Sequence, residues 1–316
     1  MIKILITGAC GFIGFHVAKT CLDYGYSVIG LDNMNNYYDQ ILKKRRLKIL
    51  KKYQNFKFYH KHLANLNEIK DEISIAINFA AQAGVRLPKN QHYKYEESNI
   101  QGFKFFLDFC DRKKIKYIIY ASSSSVYSGL SSTPYREEIN LKKPLSKYAQ
   151  TKLTNEILAG EFAKKNDKRV IGLRFFTVYG PWGRPDMAYY QFTKKIVSDE
   201  EITLFNDGQL SRDMTYIQDI VSGVMSSIDY VTSTTNNHEI FNLGNGTPVK
   251  TIDLLKLIQN KFNKNGRIKH MKNSNEVKTT DADITKAKII LGYKPNIEVH
   301  DGMSSFFNWF KGYYEI

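Results

Sequence analysis

Tyr148 and Lys152 stand four residues apart in a segment whose apolar residues Ala149, Leu153, Ile157 and Phe162 recur at near-helical spacing. On a helix that spacing places the phenol and the ammonium on one face. A cation beside a phenol favours the phenolate, and so moves a group of ordinary pKa about 10 toward service as a base near neutral pH. The pair alone is a weak signal, because tyrosine and lysine meet at this spacing on many solvated helices. It gains weight from Ser122-Ser123-Ser124-Ser125, which close an apolar stretch that reads as a strand. Carboxyl ends of parallel strands face the ligand crevice, so hydroxyls there meet whatever reacts. The run does not by itself single out which hydroxyl acts.

A second constellation sits near the amino terminus, where Lys3 to Thr7 runs into Gly8-Ala9-Cys10-Gly11-Phe12-Ile13-Gly14. Ile13, Val17, Ala18 and Leu22 then share one face of an amphipathic segment that Gly25 closes. Strand, glycine turn and helix in that order let a backbone approach a pyrophosphate, whose charge meets the N–H groups and dipole at the helix start. The next strand ends in Asp32, 18 residues beyond Gly14, where a carboxylate hydrogen-bonds an adenosine ribose 2′-hydroxyl and repels a 2′-phosphate. The expected cofactor is therefore NAD rather than NADP.

Both constellations need a sheet to hold them. Short apolar stretches alternate with helix-length segments at Lys3 to Thr7, Ser27 to Leu31, Phe56 to His60, Ile75 to Ala80, Tyr117 to Ser122 and Val170 to Phe176. Their lack of strict apolar alternation suits strands covered on both faces, which predicts a Rossmann-type, doubly wound parallel α/β sheet. Beyond Thr177 the pattern loosens into the loop Gly180-Pro181-Trp182-Gly183-Arg184-Pro185 and shorter elements, as a smaller substrate-binding lobe requires. The expected division is residues 1–176, with a return segment near 216–243, for the dinucleotide half, and 177–215 with 244–316 for the lobe. No linker or repeat separates them, so the two parts are expected to share one cleft.

With 316 residues, 42% hydrophobic and 13% aromatic, the chain is expected to bury a sizeable core and to be neither disordered nor membrane-spanning. Ile2 to Ile6 is too short for a signal-peptide core, which reads as a cytoplasmic protein. Three cysteines without CxxC spacing suggest neither a disulfide framework nor a metal site. The formal charge of +15 fits a polyanionic ligand as well as nucleic acid or an anionic surface. Its densest run, Lys43-Lys44-Arg45-Arg46, reads as the wet face of an amphipathic helix, so no specific nucleic-acid partner is expected.

Taken together, the glycine loop, Asn78-Phe79-Ala80-Ala81-Gln82-Ala83-Gly84-Val85-Arg86, the serine run and Tyr148-x-x-x-Lys152 resemble the extended short-chain dehydrogenase/reductase family over essentially the whole chain. Within it, the stretch from Arg174 to Ala188 and Ser211-Arg212-Asp213-Met214-Thr215-Tyr216-Ile217 are similar to the UDP-glucuronate 4-epimerase branch. The resemblance implies a hydride cycle on bound NAD, held by Gly8, Gly11, Phe12, Ile13, Gly14, Asp32, Leu63, Ala80, Ala81, Tyr148 and Lys152. It further implies that Tyr148 takes the proton of the sugar 4-hydroxyl, that Lys152 lowers the tyrosine pKa, and that Ser123 hydrogen-bonds the reacting oxygen. Ser124, Ser125, Thr177, Arg86, Arg184 and Arg212 are the implied substrate contacts, and a homodimer is expected by analogy. A 4-keto uronate is a β-keto acid that can lose carbon dioxide. Decarboxylases and dehydratases of this kind carry an acid just after the catalytic hydroxyl, where this chain has Ser124-Ser125.

Three positions depart from the family pattern: His62 where relatives often have an adenine-contacting aspartate, Ser128 in place of a glycine, and Ser274-Asn275-Glu276 in place of Pro-Gly-Asp. The competing readings are a UDP-hexose epimerase, a uronate decarboxylase or dehydratase, and a noncatalytic cofactor-binding protein with an RNA or protein partner.

Overall fold

The computed structural model describes residues 2–130, 132–141, 143–273 and 277–316, which leaves the departure at 274–276 outside the described residues. Seven strands form one parallel sheet: β1 (Lys3–Thr7), β2 (Ser27–Asp32), β3 (Phe56–His60), β4 (Ile75–Asn78), β5 (Tyr117–Ser123), β6 (Arg169–Phe175) and β10 (His238–Leu243). Their spatial order is β10-β6-β5-β4-β1-β2-β3. The chain therefore winds outward from β1 through β2 to β3, then crosses back to β4 and winds outward in the other direction through β5, β6 and β10. The reversal opens a crevice between the carboxyl ends of β1 and β4, where Thr7 lies in register with Asn78. The doubly wound class expected from the alternating apolar stretches is thus the observed one, with strand ends displaced by one or two residues. Phe79 and Ala80 were expected in β4 but leave the sheet. The Phe79 amide donates to the Thr7 carbonyl at 3.1 Å and that of Ala80 to the Thr7 hydroxyl at 3.3 Å, which turns the chain across the end of β1.

Helices cover both faces. On one side lie α1 (Phe12–Asp23), α2 (Gln40–Leu50) and α7 (Ile217–Ser233). On the other, α3 (Tyr93–Tyr95) runs through a π-type stretch, Glu96–Gln101, into α4 (Gly102–Arg112), and α5 (Lys147–Lys165) packs alongside. The core between β-sheet and α1/α7 is built from Ile4, Ile6, Val17, Ile77, Ile220 and Val224, and the opposite core from Leu5, Phe103, Phe106, Ile118 and Ala159. The remaining elements are β7 (Thr177–Tyr179), α6 (Ala188–Val197), β8 (Glu201–Phe205), β9 (Ser211–Tyr216), β11 (Pro248–Lys250), α8 (Thr251–Phe262), β12 (Arg267–Met271), α9 (Thr285–Leu291) and α10 (Val299–Tyr314). Two small sheets, β11-β9-β7 and β12-β8, pack with α6, α8 and α10 around a third apolar cluster that includes Tyr189, Tyr190, Phe306 and Phe310. Among the described residues, no helix is long and apolar enough to cross a membrane. All three cysteines are buried and free.

One expectation fails on α2. Lys44 and Arg45 are exposed, but Lys43 and Arg46 are buried. The local charge pattern cannot reveal their partners, which come from other parts of the chain. Lys43 donates to the Asn35 carbonyl at 2.9 Å and to its side chain at 2.8 Å. Arg46 donates to the carbonyls of Cys10 (2.8 Å), Trp182 and Gly183 (3.1 Å) and to the Tyr38 hydroxyl at 2.7 Å. A buried arginine with those acceptors ties the glycine loop to the loop that carries Arg184. His16 on α1 adds a second tie, its Nε2 donating to the Pro181 carbonyl at 3.0 Å. Burial pushes that imidazole down to about 4, so it stays neutral at physiological pH.

Candidate active site

A cleft of about 2110 Å³ runs from the glycine loop, across the ends of β5 and β7, to Met271 and Asn273 in the smaller lobe. A pocket for one small ligand measures roughly 300–1,000 Å³, so this space accommodates two such ligands end to end. Gly8, Gly11, Phe12, Ile13, Gly14, Asp32, Leu63, Ala80, Ala81, Ser123, Ser124, Ser125, Tyr148, Lys152, Arg86, Thr177, Arg184 and Arg212 all line it. The structure thereby brings every sequence-predicted site residue to one surface.

At one end the glycines form a cradle that side chains would fill. A Cβ on Gly14 would collide with the Gly8 carbonyl, and Gly8, at φ +70°, has no room for one either, because the Ala80 amide nitrogen would lie 2.8 Å from a Cβ there. No side chain caps the start of α1 at Gly11, so its first N–H groups and dipole remain directed at a ligand phosphate. Asp32 is buried with its carboxylate accepting from the amides of Cys10 at 3.0 Å and Met34 at 2.8 Å. That places an anion at the edge of the cradle. Lys43 lines the cleft beside it, a residue that the charge-run reading assigned to solvent. His62 caps the 3₁₀ turn Leu63–Glu68 by accepting from the Ala64 amide at 3.3 Å, which leaves Leu63 buried against Gly102. These residues fit a dinucleotide. We expect Gly14→Ala to lower NAD retention at least tenfold, since a backbone collision cannot be relieved by a side-chain rotation. Nucleotide released from the purified, denatured protein measures it, and wild-type occupancy would show that the cradle is misassigned.

In the middle of the cleft, α5 delivers Tyr148 and Lys152 to the end of β5. The Lys152 ammonium donates to the Ala121 carbonyl at 2.9 Å and lies 5.9 Å from the centre of the Tyr148 ring. Burial pushes Lys152 down to about 8, against the pull of the Glu156 carboxylate, so it is mostly a cation at neutral pH. The effect on Tyr148 has a different source from the expected one. Burial raises the phenol above its ordinary value, and the lowering comes from the Arg184 guanidinium and a hydrogen bond with Ser123 rather than from Lys152. The lysine is turned toward the β5 backbone, which explains the difference. Ser123 also accepts from the Ser125 amide at 3.2 Å and the Ser125 hydroxyl at 3.0 Å, holding the serine turn Ser124–Tyr127 compact. Ser128 adopts an ordinary extended conformation, φ −60°, and the left-handed position falls on Gly129 at φ +99°. The departure at Ser128 is absorbed one residue later.

The face of α5 that meets the sheet mixes the buried Ala149, Ala159 and Ala163 with polar side chains, and it follows the apolar spacing of the sequence only in part. Ile157 is exposed, whereas Lys152, Asn155 and Glu156 are buried. Glu156 accepts from Arg174 Nε at 2.9 Å and Nη2 at 2.8 Å, and from the Ser122 hydroxyl. Asn99, from the π-type stretch, donates to the Thr151 hydroxyl at 3.1 Å and accepts from the Gln82 amide at 2.7 Å. These groups lock α5 against β5, β6 and the loop after β4. The only sequence signal for Glu156 is its position one helical turn beyond Lys152.

The far end is cationic. Burial and the neighbouring Arg86 guanidinium both push Arg212 down, so two guanidinium groups converge on this part of the cleft. Arg212 is anchored through the carbonyls of Ser211 (2.8 Å) and Val277 (2.9 Å), and Arg86 lies over the Phe205 ring. Converging guanidinium groups suit a diphosphate. Arg184, expected as an anion contact, lines the cleft with its Nε and Nη2 on the Asp186 carboxylate at 3.0 and 2.5 Å.

The sequence profile of the NAD dependent epimerase/dehydratase family matches residues 4–244. The chain belongs to this family. NAD is accordingly its cofactor, and the glycine cradle with Asp32 supplies the matching geometry. An uncharacterized protein of Methanocaldococcus jannaschii is 42% identical over 98% of this chain and 96% of its own length. A UDP-glucuronate 4-epimerase of Thermodesulfobacterium geofontis is 37% identical over 97% of this chain and 95% of its length. Among solved structures, the UDP-glucuronic acid 4-epimerase of Bacillus cereus, in complex with UDP-glucuronic acid and NAD, superposes with a TM-score of 0.92 at 32% identity, covering 99% of this chain and all of that one. Resemblance within the family thus extends through the smaller lobe as well as the dinucleotide half.

Proposed function

We propose that this chain, an NAD-dependent nucleotide-sugar epimerase, interconverts UDP-glucuronate and UDP-galacturonate by inverting the configuration at C4. The observation that carries the reading is the serine turn. Ser123, Ser124 and Ser125 line the cleft beside Tyr148 together with Thr177 at the start of β7, and no acid stands among them. Neutral hydroxyls donate to a sugar carboxylate where an acidic side chain would repel it and favour its loss. The chain's end-to-end likeness to proteins named as UDP-glucuronate 4-epimerases supports the same substrate.

In this reading Tyr148 removes the proton of the 4-hydroxyl while Ser123 holds the oxygen from which it departs. NAD, when bound, accepts the C4 hydrogen with its electron pair and later returns it. Lys152 fixes the phenol-bearing helix to the end of β5 and contributes positive charge beneath the reacting centre. Arg86 and Arg212 keep the diphosphate in place while the 4-keto sugar turns about it, so that hydrogen returns to the opposite face. Tyr148 then gives back its proton, and protein and cofactor end as they began. Ser124, Ser125 and Thr177 restrain the carboxylate throughout, because an unrestrained β-keto acid loses carbon dioxide.

Thr177→Asn is expected to reduce kcat/KM for UDP-glucuronate relative to UDP-glucose roughly tenfold, the value of one hydrogen bond to a charged group. Initial rates with both substrates measure the ratio. An unchanged ratio would place carboxylate recognition on other residues.

A further inference from the structure

The loop before α6 presents an arginine that is already half engaged. Arg184 donates from Nε to one Asp186 carboxylate oxygen at 3.0 Å and from Nη2 to the other at 2.5 Å, so the side edge of its guanidinium is filled. Nη1 has no hydrogen-bond partner among the described residues, and the side chain stays a quarter exposed within the cleft. A guanidinium is planar and carries five N–H donors in a fixed fork. With the side edge taken, Nη1 and the second hydrogen of Nη2 form an end-on edge that can grip a second carboxylate in bidentate fashion.

Asp186 is itself held in place. Tyr37, from the loop after β2, donates to its carboxylate at 3.1 Å. Burial and that carboxylate push the Tyr37 phenol up, so it remains a donor. Gly84, from the loop after β4, packs so closely on the Tyr37 hydroxyl that no Cβ would fit there, and its carbonyl accepts from the Tyr95 hydroxyl. The Tyr95 ring lies 5.9 Å from that of Tyr148, centre to centre. A continuous path of contacts thus joins Arg184 to the reacting part of the cleft. Arg46, bonded to the carbonyls of Trp182 and Gly183, fixes the backbone just before Arg184. That anchor leaves the rotation of the guanidinium open, and Asp186 with Tyr37 sets it.

We infer that Asp186 and Tyr37 are positioning residues that aim the end-on edge of Arg184 at the carboxylate of the uronate. This rests on UDP-glucuronate as the substrate and on Arg184 as one of its contacts. A long side chain loses rotamer freedom when it grips a ligand, and holding it beforehand removes most of that loss. Asp186 also carries a negative charge, which by itself repels a uronate. Asp186→Asn therefore separates the two effects by sign: losing the repulsion tightens uronate binding, and losing the aim weakens it.

Calorimetric titration of the holoenzyme with UDP-glucuronate and with UDP-xylose, which carries hydrogen where the uronate has its carboxylate, isolates the contact. Asp186→Asn should weaken UDP-glucuronate binding about tenfold and Tyr37→Phe about threefold, the range for hydrogen bonds to charged groups, while either moves UDP-xylose less than about twofold. Added to Arg184→Gln, Asp186→Asn should cause no further loss, because its effect runs through that side chain. Equal weakening of both ligands would mean a merely structural role, and tighter uronate binding in Asp186→Asn would mean that charge rather than aim governs. Either result overturns the inference, as does full additivity with Arg184→Gln. Should Asp186→Asn not fold, Tyr37→Phe, which changes no charge, decides by the same comparison of ligands. Wild-type protein that binds UDP-xylose as tightly as UDP-glucuronate would instead remove the uronate reading itself.

Discussion

Tyr148→Phe should lower kcat for C4 inversion by roughly a thousandfold, within the usual range for loss of a positioned proton carrier, and leave bound NAD unchanged. The separation of effects follows from the geometry. The ring packs against Tyr95 at 5.9 Å and the helix is held by Lys152 on Ala121, Thr151 on the Tyr148 carbonyl at 2.7 Å, and Glu156. None of these contacts uses the phenolic oxygen. Losing that oxygen removes the base for the 4-hydroxyl and the donor that restores the proton, so both halves of the cycle fail together. The glycine cradle and Asp32, at the other end of the cleft, are untouched. Steady-state rates combined with nucleotide content of the purified variant test this. Turnover within tenfold of wild type would contradict it, and loss of NAD would show that the hydroxyl serves binding instead.

Glu156→Gln is expected to destabilise the fold by about 3–5 kcal/mol, which corresponds to a fall in melting temperature of roughly 5–15 °C. Arg174 and Glu156 are 3% and 5% exposed, so the neutral amide leaves a guanidinium charge in the core without its partner. The same guanidinium also donates to the Tyr127 hydroxyl at 2.7 Å, and that hydroxyl donates to Asn242 at 2.8 Å, so the damage reaches the junction with β10. Replacing both partners by apolar residues of similar volume, Glu156→Leu with Arg174→Met, should recover most of the loss, because neither buried charge is then stranded. Thermal unfolding of the single and double variants measures the difference. A double variant no more stable than the single one would mean that the hydrogen bonds to Ser122 and Tyr127, not the charge balance, carry the stabilisation.

What the sequence made legible is what depends on neighbours along the chain. Gly8, Gly11, Gly14 and Asp32 form one local unit, strand to turn to helix to strand, and the crevice between β1 and β4 lies where that unit requires. Tyr148, Lys152 and the serine run were legible through spacing and strand position. Partners drawn from distant segments were not. Lys43 and Arg46 look like two charges in a solvated run until Asn35, Cys10, Trp182 and Gly183 supply acceptors for them. The apolar residues of α5 mark it as a helix but report only part of its inner face, because a paired Glu156 can be buried while Ile157 beside it is exposed. Arg184 was read by residue type as an anion contact. The folded loop adds that Asp186, two residues away, pairs with it.

Purified protein incubated with UDP-glucuronic acid and no added cofactor, followed by proton NMR of the anomeric and C4 signals, tests the central claim most directly. The site described here predicts growth of UDP-galacturonic acid to a constant ratio with its epimer, with the carboxylate retained and NAD carried in by the protein. A pentose product would show that the serine turn does not restrain the 4-keto acid, and an unaltered spectrum, even with NAD added, would contradict C4 inversion of this substrate.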